Sequence, residues 1–173
     1  MAQNFKGLFD LFSSKQRWTK GRLAGYRREE NWIVTPVEGV KAMDVRAKPA
    51  NCWCLLGGII YLAQQVCPRG DYSRLVYGST AKAHEALAAH QDAILNFRHS
   101  LAACVATVVQ KYPKEQTLHL HNAQHMTASD IITNFNDNGF ITHEDILEVA
   151  KESDKEFKDK HPELYKKLQE SAT

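Results

Sequence analysis

The chain has 173 residues, 43% of them hydrophobic and 24% charged, with a formal net charge of +2. These proportions are close to globular averages, so one ordinary domain with a real core is expected. A net charge this small excludes steering of the whole molecule onto nucleic acid or anionic lipid, which would need a local patch. No apolar run reaches the roughly 18–20 residues of a membrane span, and the densest, residues 52–63, suits a buried helix. Residues 1–12 mix Lys6 and Asp10 into their apolar positions and lack the layout of a secretory signal. A cytoplasmic setting is therefore expected, with Cys52, Cys54, Cys67 and Cys104 as reduced thiols, since none forms a CxxC pair.

In chain order, Phe5, Leu8, Phe9, Leu11 and Phe12 repeat at helical spacing, predicting a short amphipathic helix over residues 4–14 with Asn4 as N-cap. Gly21 and Gly25 interrupt any regular pattern after it. Residues 32–34 and 37–45 have strand character, opposed by Pro36 and Gly39. Asn51 is placed to cap a helix over residues 52–63 that is apolar on every face and so belongs at the centre of the fold. Gly57-Gly58 within it costs roughly 1 kcal/mol per Gly in helix propensity, which implies close approach of a neighbouring backbone.

Residues 72–90 read as helix broken near Gly78-Ser79-Thr80, with Thr80 capping the second piece. Residues 92–112 give the clearest amphipathic helix, with Ile94, Phe97, Leu101, Cys104 or Val105, Val108 and Tyr112 on one face and Pro113 as its stop. Residues 114–124 read as polar connector with a short extended piece at 118–120. Thr127 caps a short helix that turns Ile131, Ile132 and Phe135 inward, and Asn136-Asp137-Asn138-Gly139 forms a turn. Thr142 with Asp145 approximates a capping box for the next helix, and Pro162 suits the first turn of a last one. The fold class expected is mainly α, a compact single-domain helical bundle around a central apolar helix with one or two short strands. Residues 1–154 form the helical domain, and residues 155–173 a charged helical tail expected to dock loosely.

Four constellations carry potential chemistry. Cys52 and Cys54 stand at the expected start of the central helix, where the positive helix end favours thiolate. With His121 or His125 as base and Asp137 as a polar partner, Cys54 would be the nucleophile of a hydrolase or transferase. The competing reading makes both thiols small core hydrophobes. His119, His121 and His125 space as HxHxxxH, which needs a strand-to-helix junction to converge on a metal, and a solvated connector is the better reading, with no metal or cofactor expected. Asn134, Asn136, Asn138, Gly139, Ile141 and Asp145 follow the outline of a calcium loop, but with a single charged ligand, so a helix–turn–helix corner competes. Arg17, Trp18, Lys20, Arg22, Tyr26, Arg27 and Arg28 interleave cations with aromatics and are the candidate ligand-binding residues. Against them stand Glu29-Glu30 and the reading of a solvated face with its aromatics tucked inward.

Three blocks also resemble a known pattern. Arg17-Trp18-Thr19-Lys20-Gly21 resembles a GWTxG-like block, and Cys52-Trp53-Cys54-Leu55-Leu56-Gly57-Gly58-Ile59 a WCLxGA block. Phe135-Asn136-Asp137, followed by the helix opened by Thr142, resembles a WND block. Their order is similar to that of a family of small bacterial and phage domains of unknown function, and they span roughly residues 8–152. Gly58 stands where the family has Ala, and Phe135 where it has Trp. The resemblance implies a compact helical domain and a phage genome, and carries no activity. The function expected is a non-enzymatic binding protein that occupies a host protein or small ligand, with cysteine-dependent chemistry and nucleic-acid binding as alternatives.

Overall fold

The computed structural model describes residues 3–27, 34–36, 50–66, 80–121 and 126–173, with side chains except at 27, 34–36, 80–91, 94, 118, 119 and 121. Helix α1 (Leu8–Phe12) and one 3-10 turn (Lys15–Arg17) lead into strand β1 (Ala24–Arg27), followed by β2 (Val34–Pro36) and β3 (Cys52–Trp53). Helices α2 (Leu55–Val66), α3 (Thr80–Val109), α4 (Lys114–His121), α5 (Ala128–Asp137), α6 (His143–Lys160) and α7 (Pro162–Ser171) complete the described elements. The molecule is a mainly α single domain built around α2, which touches α1, α3, α5 and α7.

The central helix starts three residues later than its apolar run suggests. Cys52 and Trp53 form a strand instead, pairing antiparallel with Gly25 and Ala24. Asn51 is therefore not the helix cap; its N–H donates to Gly25 O at 2.9 Å, extending the ladder. The sheet order is β2-β1-β3, so β1 is its centre, across the very glycine that breaks the sequence pattern. Pro36 is tolerated because β2 lies on the edge, opposite Gly25.

Two further expectations change. The helices read separately over residues 72–90 and 92–112 are one element from Thr80 onward, α3, which runs unbroken for 30 residues; residues 72–79, with most of the break read near Gly78-Ser79-Thr80, lie outside the described residues. The stretch read as polar connector is helix α4 rather than an extended piece, with Thr117 off helical geometry at φ −132°, ψ 24°. The two Thr-capped helices form as their sequences dictate. Thr127 with Asp130, and Thr142 with Asp145, make complete capping boxes.

The core is continuous from α1 to α7. Leu55, Ile59 and Leu62 of α2 share one core with Phe97 and Leu101 of α3, Ile132 and Phe135 of α5, and Phe157 of α6, all fully buried. The rings of Phe97 and Phe157 stack at 3.9 Å between centroids. Gly57 is required by contact: a Cβ there would stand 1.8 Å from Leu23 O. This is the backbone approach that the Gly-Gly pair implies. At Gly58 the neighbour is instead a side chain, the Phe12 ring at 2.7 Å from such a Cβ.

The chain ends are tied to each other through α2. The buried Gln65 amide accepts from Phe5 N at 2.9 Å and donates to Phe5 O at 2.7 Å and to Ser171 Oγ at 2.8 Å. Asn4 donates to Ser171 O and Gln169 to Lys6 O, while Leu168 is fully buried, so the charged tail is docked on the N-terminal segment. Asn4 is consequently not the cap of α1. That helix is capped from elsewhere: the Asp154 carboxylate accepts from Leu8 N and Phe9 N, both at 2.9 Å. Gly7 admits it, since a Cβ at that residue would lie 2.4 Å from Asp154 Oδ2.

Burial pushes the Asp154 carboxyl up to about 6, against the pull of the Phe9 and Leu8 N–H groups and with a push from Asp10. The folded chain therefore holds this proton more tightly than the unfolded one. Its stabilising contribution is full below the unfolded carboxyl range and is lost as pH rises through about 6. Lowering pH from 7.5 to 5 is expected to gain about 1 kcal/mol from this group, and Asp154→Asn is expected to flatten that slope in urea titrations at the two pH values. Gly57→Ala is expected to destabilise the fold by about 3 kcal/mol or more, because backbone rather than a side-chain tip must yield; thermal denaturation measures it directly.

Candidate functional site

The side-chain amide of Asn136 is the meeting point of the three resembling blocks. Its Oδ1 accepts from Trp18 Nε1 at 2.9 Å and from Leu55 N at 3.1 Å. Its Nδ2 donates to Thr19 O at 3.0 Å and to Asp137 Oδ1 at 2.7 Å. The residue is 1% exposed, so both ends of the amide are saturated without water. Leu55 N is an orphan donor of the α2 start, and Asn136 caps it from the far side of the fold. Asp137 Oδ1 also accepts from Gly21 N at 2.8 Å, and Thr19 N donates to Trp53 O at 3.0 Å. Residues 18–21, 53–55 and 136–137 are thus joined as one polar knot, buried at Asn136 and reaching the surface at Gly21 and Asp137.

Cys54 belongs to the knot's packing. It is 6% exposed and directly precedes α2, its carbonyl accepting from Gly58 N and its Sγ from Gly57 N at 3.3 Å. The helix end acts on the thiol as foreseen, but desolvation outweighs it. Burial pushes Cys54 up to about 11, while the Gly57 and Leu56 N–H groups pull it down by less. Cys52 is fully buried in β3. Of the proposed partners, the His121 side chain and all of His125 lie outside the described residues, and Asp137 is engaged with Gly21 and Asn136. His119 and His121 both fall on helix α4 by their backbone, and their side chains lie outside the described residues.

The basic–aromatic segment turns largely inward. Trp18 is buried and faces His143, whose Nε2 donates to Phe12 O at 2.8 Å. Arg17 lies over the Phe5 ring at 4.7 Å and donates to Asp10 O at 3.3 Å. Lys20 reaches over the Trp18 ring at 5.0 Å and donates from Nζ to Asn138 O at 2.6 Å and Ile141 O at 3.1 Å. Burial holds its pKa below the usual lysine range, and the Asp137 carboxylate opposes that shift. Arg22 and Tyr26 are half-buried; the Arg27 side chain and Arg28 lie outside the described residues.

The calcium-loop outline dissolves into the helix–turn–helix corner. Asn136 is consumed in the knot, Asn138 donates to Gln116 O and accepts from Phe140 N, and Asp145 caps α6 and accepts from Tyr112 OH. What the corner does form is a cleft on its outer side, lined by Gln116, Asn134, Asp137, Asn138, Gly139 and Phe140. Phe140 is 55% exposed at its rim. Gln116 and Phe140 have no motif to mark them; the sequence signal for the latter is a large aromatic directly after an Asn-Gly turn. A second groove runs between α3 and α6 over Cys104 and Val108. Its walls carry solvated ion pairs, Lys160–Glu156 and, beside it, Lys111–Glu148.

Fold and knot together define a small, mainly α domain pinned by residues from three distant blocks, and among its described residues no helix is long and apolar enough to cross a membrane. A family model described as a family of unknown function (DUF6197) matches residues 2–153, and the chain belongs to that family. No curated protein and no solved structure matches the chain.

Asn136→Ala strands two buried N–H donors and the Thr19 carbonyl. At about 1–3 kcal/mol for each unsatisfied group, a loss of at least about 3 kcal/mol is expected in urea denaturation followed by tryptophan fluorescence. A change below about 1 kcal/mol would show that the knot is not what pins the blocks together.

Proposed function

We propose that this chain is a small, phage-borne binding protein that acts by occupying a host molecule, and that its contact surface is the cleft beside Phe140. The observation that supports this most is the division between committed and uncommitted groups. A thiol held at about 11 stays protonated at neutral pH, which suits Cys54 to packing better than to nucleophilic attack. Arg17, Trp18 and Lys20 are engaged with the protein's own rings and carbonyls, which argues against their serving a nucleic acid. The cleft, by contrast, pairs an exposed aromatic with side-chain amides of Gln116 and Asn134 that carry no strong hydrogen bond among the described residues. Concave surface with a few convergent polar groups is the usual form of a ligand site. The phage setting is supported by the order of the three blocks, and a host protein or a small ligand is the class of partner.

The test is chemical-shift mapping of the purified protein against panels of small metabolites and host-lysate fractions, with Phe140→Ala as the variant. Shifts centred on residues 134–140, weakened about tenfold or more by the substitution, are the expected result. Shifts confined to residues 17–28 with affinity that falls steeply with salt would replace this reading with nucleic-acid binding. Turnover of a substrate panel that Cys54→Ala abolishes, with Cys54 alkylated by iodoacetamide faster than in the denatured chain, would replace it with cysteine chemistry.

A further inference from the structure

We propose that the cleft beside Phe140 binds a neutral sugar ring, an inference that rests on the cleft being the contact surface and names its ligand class. Three features of the cleft select this chemistry. The first is charge. Its lining contains one carboxylate, Asp137, and no cation. The nearby Lys20 ammonium is held by Asn138 O and Ile141 O and offsets the Asp137 charge. A phosphate or carboxylate ligand would meet an acid and no available base.

The second feature is the pattern of donors and acceptors. The Gln116 side-chain amide makes no hydrogen bond among the described residues, and that of Asn134 makes only a long contact with Met126 Sδ at 3.8 Å. Each amide offers a donor and an acceptor together. Asp137 adds a single oxygen, because Oδ1 already accepts from Gly21 N and Asn136 Nδ2. A nucleobase that presents paired N–H groups to a carboxylate needs both oxygens, and here one is taken. A ring hydroxyl needs only one, and adjacent hydroxyls, each donor and acceptor at once, match the two open amides of Gln116 and Asn134.

The third feature is the apolar face with space above it. Phe140 is fixed at the backbone by its N–H to Asn138 Oδ1 at 2.8 Å, and Asn138 is fixed in turn by its bond to Gln116 O at 3.0 Å. The exposed ring offers the flat surface on which the C–H face of a sugar packs. Gly139 lines the cleft although nothing in the fold requires glycine there. Its φ is not positive, and a Cβ would meet no atom within 4 Å. The missing side chain leaves the mouth of the cleft open.

The experiment titrates the full chain with neutral mono- and disaccharides, nucleosides and short peptides, reading backbone amide shifts and calorimetric affinity. At least one sugar is expected to give saturable shifts at residues 134–140 with Kd on the order of 1 mM, the range suited to one aromatic face and a few hydrogen bonds. Phe140→Ala is expected to weaken it about tenfold or more. Gly139→Ala is expected to weaken it several-fold while leaving the melting temperature unchanged, which a merely structural role for Gly139 would not produce. Cleft shifts from nucleosides or peptides but from no sugar would overturn the ligand class and keep the cleft as contact surface. Shifts from no ligand at the cleft, with binding mapped elsewhere, would overturn both.

Discussion

The fold depends on a single buried amide. Asn136 is asked to accept two N–H bonds on one side and to donate two on the other, and only a carboxamide of this length supplies both. A carboxylate would accept but not donate, and an alanine would strand Trp18 Nε1, Leu55 N and Thr19 O. Because one of those partners is the first N–H of α2, the same side chain that anchors Trp18 also fixes where the central helix begins. The same first turn of α2 sets Gly57 against Leu23 O, so the asparagine and the glycine both act on the start of the central helix.

The corner after α5 therefore has two faces. Its inner face is structural, closed around Asn136 and the Lys20 ammonium. Its outer face is the cleft, where polar side chains remain open beside Phe140. Asp137 belongs to both, with Oδ1 given to the knot while the residue also lines the cleft. A site built this way inherits the rigidity of the core beneath it, since moving the cleft wall means breaking bonds that hold Trp18 and Gly21.

The helices were legible where local chemistry decides them. Both Thr caps, the Pro162 start and the inward face of α3 follow from spacing and capping residues alone. The misreadings share a cause, which is pairing with distant chain. Cys52 and Trp53 look helical beside the apolar run that follows, yet an open strand edge at Ala24 and Gly25 claims them. Asn4 has the identity of a cap, but the capping group came from residue 154. At the site, the three resembling blocks contain Trp18, Cys54, Asn136 and Asp137, and the structure joins Trp18, Asn136 and Asp137 by hydrogen bonds with Cys54 buried at the start of α2. Whether they formed a pocket or a framework rested on burial, which spacing does not carry. The helix end at Cys54 was read with the right sign, and the magnitude of desolvation reversed it.

The cap on α1 also has a consequence for how the chain comes into being on the ribosome. A five-residue helix does not hold itself together in water, and the carboxylate that satisfies its first N–H groups lies some 145 positions downstream. With synthesis running at about 5–20 residues per second, the α1 segment waits roughly 7–30 s for Asp154 to be made, although its partners in α2 appear much sooner. The α1 helix is thus among the later elements to settle, because its cap is made some 145 residues after it.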